Sequence, residues 1–414
     1  MKKILLLFAV LLFLAACNND DENTIAICES PENISVTNIT FQDATISWDN
    51  TNTNASSVLE YGQAGFDLGT GTTVSVEEFS LTITGLSANT TYDVYLKSIC
   101  STTNESMYSE LESFTTLVPP VVAEFLPKLS ELNLFSGDLA DLNETIYAFD
   151  YELITPLFTD YAHKKRIIAL PIGESMEYVN DGFPVFPNNT VIAKTFYYKA
   201  DERDLSLGRT IIETRVLIKR NGNWELGNYK WNTEQTDAFL DETSSTVPIS
   251  YIDSDGNSNT VNYVIPSNTD CFTCHNNAGS ETPIGPKLRN MNMNNQLQDL
   301  IDNQLLLNLA DVSSVSVLPN WEDPSYSLEE RARAYFEVNC AHCHIEGGFC
   351  ATESDLRLSY ETPYEDSNIF ERRLLIDARM SLLIPGFTMP FIGTTTLHDE
   401  GYALIEAYLN SLSE

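Results

Sequence analysis

Asn339-Cys340-Ala341-His342-Cys343-His344, read together with Cys271-Phe272-Thr273-Cys274-His275, sets the interpretation of the C-terminal half of the chain. In both strings two thiols lie three positions apart and an imidazole directly follows the second. Each thiol can then form a thioether to a vinyl edge of a porphyrin while the adjacent imidazole turns onto the iron. With 8 Cys and 5 His in 414 residues, two such strings are not expected by chance. The strings therefore predict two covalently bound haem c groups. Cys271, Cys274, His275, Cys340, Cys343 and His344 are the cofactor-binding residues, and His275 and His344 the iron ligands. Zinc is the rival, because the strings can together supply four sulfurs, but thiolate zinc sites are unusual in exported proteins.

Working outward from the second string, Ser327 caps a predicted helix over Leu328–Val338, with Glu330 as capping-box partner, and this helix runs into Cys340. Met389-Pro390 follows, and an amphipathic helix is predicted over Leu397–Leu412. That order resembles a mono-haem cytochrome c fold, in which a Met-Pro loop brings a thioether to the open face of the iron. The resemblance implies Met389 as sixth ligand, with Met380 as the alternative; a soft sulfur opposite imidazole raises the potential. His342, between two thioether positions, is expected to point away from the iron, and His398 to cap the last helix. The first string lacks such a frame. It follows the turn Ile265-Pro-Ser-Asn-Thr-Asp270, and its sixth ligand stays open between Met291, Met293, His163 and none. A helix is predicted beyond it over Asn295–Ala310.

Upstream, strand patterns dominate Ile146–Ile265: Val191–Tyr198, Thr210–Lys219 and Trp224–Trp231, with Asn221-Gly222 as a hairpin turn between the last two. Asp253-Ser-Asp-Gly256 reads as another hairpin turn rather than a calcium loop, since the downstream acidic ligand is missing. A helix is predicted over Glu124–Phe135. The consecutive prolines of Leu117-Val-Pro-Pro-Val121 mark an extended linker and a domain boundary. Before it, short alternating strands predict a β-sandwich, in which Ala44-Thr-Ile-Ser-Trp48 directs a Trp inward. Leu86-Ser-Ala-Asn-Thr-Thr-Tyr92 resembles the E-to-F corner of a fibronectin type III domain, with Tyr92 as the corner tyrosine.

At the N-terminus, Lys2 and Lys3 precede an apolar run, Ile4–Ala16, that is too short for a stable span and reads as a signal peptide. Leu14-Ala-Ala-Cys17 resembles a lipobox, which implies lipid on Cys17 and an outer-membrane lipoprotein held by lipid alone, on the periplasmic face or at the cell surface. An oxidising compartment allows Cys28 and Cys100 to pair, leaving Cys350 as the odd thiol. The balance of 23 Lys+Arg against 59 Asp+Glu, a net charge of -36, argues against nucleic acid and favours redox partner proteins with basic docking patches.

Taken whole, the run Phe149-Asp-Tyr-Glu-Leu-Ile-Thr-Pro-Leu-Phe-Thr-Asp-Tyr161, with Ile212-Glu-Thr-Arg215, Tyr229-Lys-Trp231, Asn303-Gln-Leu305, the two CxxCH strings and Met389-Pro390, resembles a family of bacterial dihaem c-type cytochromes. The resemblance starts near Phe125 and implies two haems and electron transfer, with no established substrate. Glu346-Gly-Gly-Phe-Cys350 departs from it by placing an extra thiol near the second string. The expected architecture is multidomain. Signal peptide (1–16), lipidated tether (17–27) and a fibronectin type III-like sandwich (28–116) precede a β-rich domain (125–270), a first haem-binding region (271–320) and an α-helical cytochrome c-like domain (325–414). Every strong motif binds a cofactor and none is a nucleophile or a paired acid and base, so an electron carrier is expected. The alternative is a dihaem peroxidase or oxidoreductase acting on a small substrate at an open-faced haem.

Overall fold

Ala44, Ile46 and Trp48 alternate with Thr45, Ser47 and Asp49, a period of two that makes one strand face apolar. The computed structural model describes residues 27–412 and buries that face, with Ala44 and Ile46 fully inside. The expected signal peptide, Cys17 and all of the expected tether but Ile27 lie outside the described residues. The chain divides into two compact units, Met1–Pro119 and Pro120–Glu414.

In the first unit, β1 (Glu32–Thr37), β2 (Ala44–Asp49) and β5 (Ser80–Ile83) form one sheet in the order β1-β2-β5. The second sheet runs β4 (Thr72–Val76), β3 (Ser56–Gln63) and β6 (Thr91–Ser101), with β7 (Asn104–Glu105) and β8 (Glu112–Thr115) both pairing the far edge of β6. This is the strand order of a fibronectin type III-like sandwich, closed over Trp48, Leu59, Val94 and Leu96. Tyr92 is the corner residue: its hydroxyl accepts the Ser87 N–H at 2.9 Å. A disulfide joins Cys28 to Cys100.

The second unit is built on an antiparallel sheet in the order β15 (Ala238–Leu240), β14 (Asn223–Trp231), β13 (Arg209–Arg220), β12 (Val191–Lys199), β10 (His163–Ala169), β9 (Ala148–Asp150). Asn221 and Gly222 turn β13 into β14 with φ of 49° and 83°, the left-handed pair such a turn requires. One face, carrying Ile167, Ala193, Val216 and Tyr229, packs under Leu129, Leu132 and Leu134. On the other face, Ile168, Ile192 and Leu217 meet Leu288, Met291 and Leu297, while Phe196 and Tyr198 meet the hairpin of β16 (Ser245–Ile252) and β17 (Ser258–Ile265). Asp253 closes that hairpin, accepting from the Asp255 and Asn257 N–H groups.

After the hairpin come α1 (Asn268–His275), the short pair β18 (Asn276–Asn277) and β19 (Ser280–Glu281), α2 (Leu288–Met291) and α3 (Gln296–Asp302). Further on, β20 (Leu306–Leu307) pairs in parallel with β11 (Met176–Glu177). The last helices are α4 (Leu328–Asn339), α5 (Tyr364–Ser367), α6 (Ile369–Ser381) and α7 (Asp399–Ser411). Ser327 and Glu330 close the capping box of α4. Gly401 lets α7 cross α4 closely, because any Cβ there would strike the Tyr335 ring. Among the described residues no helix is long and apolar enough to cross a membrane.

Two expected helices shrink. Over Glu124–Phe135 only the 3₁₀ turn Leu129–Leu132 forms, since Pro127 interrupts the amide ladder and Phe125 instead covers Gly227. The helix expected over Asn295–Ala310 stops at Asp302, where Gln304 and Asn308 turn left-handed and the chain joins β11. The regions expected as separate domains beyond residue 125 share one compact unit, because α2 and α3 pack into the sheet's own core. For the sandwich, Tyr92→Phe removes the corner hydrogen bond at a cost of about 1 kcal/mol. Amides of β2 and β6 are expected to exchange hydrogen roughly fivefold faster by mass spectrometry.

Candidate functional site

The first CxxCH string occupies the end of α1, whose start is fixed by Ser267 and Asp270 in a reciprocal capping box. Cys271 and Cys274 therefore share a face one turn apart. His275 ends the helix and is 8% exposed. Its Nδ1 lies 2.7 Å from the Thr282 carbonyl, which can only accept. Nδ1 therefore carries the proton and Nε2 keeps a lone pair, the tautomer a metal ligand needs. Burial first, and then the Lys194 ammonium, pulls the His275 pKa down to about 3, so the ring is neutral.

The second string begins at the C-terminus of α4. Cys340 takes the cap position with its N–H on the Phe336 carbonyl, and the Cys343 and His344 N–H groups turn back onto the Cys340 carbonyl at 3.1 and 3.0 Å. Burial is the main force holding the His344 pKa down, to about 4, with His342, Arg357 and Arg379 adding to it. Its buried Nδ1 has no hydrogen-bond partner.

Cavities sit beside both strings. One of about 820 Å³, counted to its open mouth, is lined by Cys340, Cys343, His344, Arg379 and Met389. A second of about 790 Å³ adjoins it and shares Cys340, His344 and Met389, with Met380 in its wall. A third, much narrower, with about 50 Å³ of enclosed space, is lined by Cys271, Cys274, His275, Lys194, Arg215 and Phe158. Each motif thus keeps both sulfurs and its imidazole on one cavity wall. The residues fit a thioether-bound haem: both imidazoles are neutral, His275 is buried and His344 half-buried, and the His344 Nδ1 has no protein partner.

The two strings also lie against each other. The Cys343 thiol approaches the Thr273 carbonyl at 3.9 Å, and the Cys274, His342 and Cys343 ligand atoms fall within 4.8 Å of one another. Hydrogen bonds from the Cys343 thiol and from His342 draw the Cys274 pKa down, while Cys343, which also meets Cys350, is pushed up. Cys350 therefore touches the second string and lines both of its cavities.

Met389 and Met380 both stand at the second site, and only Met389 lines both cavities. The loop that carries Met389 is tied down by Asp160, which accepts from the N–H and hydroxyl groups of Thr395 and Thr396 at 2.7 to 3.1 Å. The three candidates for the first site lie elsewhere. His163 is bound to Glu202 at 2.6 Å and stacked on Tyr197, Met291 is in the core, and Met293 gives its carbonyl to Gln296. None lines the first-string cavity, whereas His342 does. His398 precedes α7 without a side-chain cap; its ring stacks on Phe158 at 4.0 Å and shares a hydrogen bond with the Tyr335 hydroxyl at 2.9 Å. The sequence signal for Lys194 and Arg215 is a charged residue in mid-strand, flanked by apolar runs and paired across β12 and β13.

No family model matches the chain, and no curated protein matches it. Among solved structures it is similar to a computationally redesigned β-sandwich protein (30% identity, 22% of this chain and 95% of that chain, TM-score 0.20). It is also similar to the fn3 domain of human contactin 1 (18% identity, 22% and 77%, TM-score 0.20). A third likeness is to the fibronectin type-III domain of human fibronectin type III domain containing protein 3 (17% identity, 22% and 88%, TM-score 0.19).

Removing the Asp160 carboxylate leaves two N–H groups without acceptors. Asp160→Ala is expected to lower stability by on the order of 2–4 kcal/mol and to speed chymotrypsin cleavage around the exposed Phe391. His398 gives a pH signature. Burial holds its pKa below the ordinary imidazole value. Its neutral form therefore supports the fold fully above about pH 6.5, and stability falls as pH drops from there toward the depressed folded value. Urea midpoints between about pH 7 and pH 5 should fall less steeply in His398→Asn than in the parent protein.

Proposed function

We propose that the chain is a dihaem c-type cytochrome, lipid-anchored through Cys17 at the bacterial cell envelope, that carries single electrons between protein partners. One observation bears most of the weight: at the second string both thiols, the neutral His344 and the Met389 thioether line a common cavity. When bound, the haem iron supplies a one-electron couple whose potential its axial ligands and surroundings tune. The chain's residues hold and tune that couple. Cys271, Cys274, Cys340 and Cys343 would hold the ring edges, and the Thr282 carbonyl orients His275. Met389 offers a soft sulfur from a loop that Asp160 locks in place, so little reorganisation accompanies a change of oxidation state. Contact between the strings supports transfer between the two centres, and the charge of -36 supports docking to a basic partner.

The closeness of Cys274, His342 and Cys343 favours a second reading, a thiolate zinc site completed by Cys350. The readings separate in one preparation. Protein matured in a host that attaches haem c is expected to show two low-spin haems per chain by absorbance, without stoichiometric zinc. Met389→Ala should lower the reduction potential of one centre and leave the other in place. Stoichiometric zinc with no haem supports the second reading, and two potentials that ignore Met389 remove that residue as ligand.

A further inference from the structure

The sheet face beneath the first string carries a row of polar side chains in register. Tyr151 lies opposite Arg166 through its N–H on the Arg166 carbonyl; Arg166 pairs with Lys194, Lys194 with Arg215, and Arg215 with Asn228. Neighbouring strands stand about 5 Å apart, so three cations sit side by side where like charges repel. They are also largely buried: Arg166 is 6% and Lys194 8% exposed, and the Arg215 side chain 16%.

Compensation within the protein is incomplete. Arg215 has Glu213 at 2.5 Å, and that carboxylate also accepts from the Tyr263 hydroxyl at 2.6 Å. Arg166 has only the exposed Glu152 at 3.9 Å, while Lys194 has neither an ion pair nor a hydrogen bond among the described residues. Glu213 is the one buried carboxylate on the row, so its basic groups are not balanced within the protein, and burial together with Arg166 and Arg215 pulls the Lys194 pKa down to about 7. Five atoms along it are buried without a partner: the Tyr151 hydroxyl, Arg215 Nε, Glu213 Oε2, and both the Oδ1 and Nδ2 of Asn228. The donors among them, the Tyr151 hydroxyl, Arg215 Nε and Asn228 Nδ2, are the groups a missing anion would satisfy. Lys194 and Arg215 open onto the cavity of Cys271, Cys274 and His275.

We propose that Arg166, Lys194, Arg215 and Asn228, with Tyr151 at the end, form a buried carboxylate-binding row beside the first string. Two sources share that chemistry: the paired propionates of the haem on Cys271 and Cys274, which rest on the reading above, or a small free carboxylate entering beside it. Carboxylate oxygens would supply the negative charge the row lacks, and the guanidinium forks suit their geometry.

The test compares the haem-loaded protein with Lys194→Gln, which removes the charge and leaves a polar side chain one atom shorter, and with Lys194→Arg as the conservative rescue. Haem content is measured first, so loss of the cofactor is scored separately against the cytochrome reading. If the propionates occupy the row, the infrared carboxylate band of haem labelled with carbon-13 at the propionates shifts in Lys194→Gln and returns in Lys194→Arg. If a free carboxylate does, acetate raises the melting midpoint of the parent protein saturably and leaves Lys194→Gln unmoved; this arm runs with or without haem. Asn228→Leu supplies the same readouts should Lys194→Gln fail to fold. An unshifted propionate band together with no saturable acetate effect overturns the proposal.

Discussion

Two imidazoles held neutral by burial, each one position beyond a pair of thiols, are the constraint around which the second unit is organised. Water would protonate and hydrate these rings more readily; the apolar core around α4 and the sheet face under α1 keep it away. At His275 the Thr282 carbonyl adds an orientation, fixing which nitrogen carries the proton. Everything else in the site follows from bringing other groups to those two rings.

That delivery depends on packing far from the thiols. α7 crosses α4 at Gly401, and the loop between α6 and α7 is pinned to the β-sheet side through Asp160, so the Met389 position is set jointly by helices and sheet. Asn339, next to Cys340, accepts the Phe158 N–H at 2.9 Å and ties the start of the second string to the same strand-lined segment. The β-rich part is thus a scaffold that holds the two CxxCH strings in contact.

Much of this was legible in the sequence, for identifiable reasons. The CxxCH strings, the Ser327–Glu330 capping box, the Asn221-Gly222 turn and the Tyr92 corner are local signals whose physics is complete within a few residues. The failures were non-local or ignored a breaker. Pro127 stops a helix that the apolar spacing alone would allow, and Leu306 leaves α3 for a partner strand far away in sequence. His163 looked available as a ligand because nothing nearby in sequence announces Glu202, which reaches it from beyond β12. The Arg166–Lys194–Arg215–Asn228 row becomes visible only when strand register is known, since its members come from four strands.

The central claim is that each string grips its own porphyrin covalently. Its most direct test is proteolysis of the matured protein followed by mass spectrometry of the fragments holding Cys271–His275 and Cys340–His344. The account predicts one haem on each fragment, attached through both cysteines. Fragments recovered at their plain peptide masses, with thiols that alkylate freely, would contradict it.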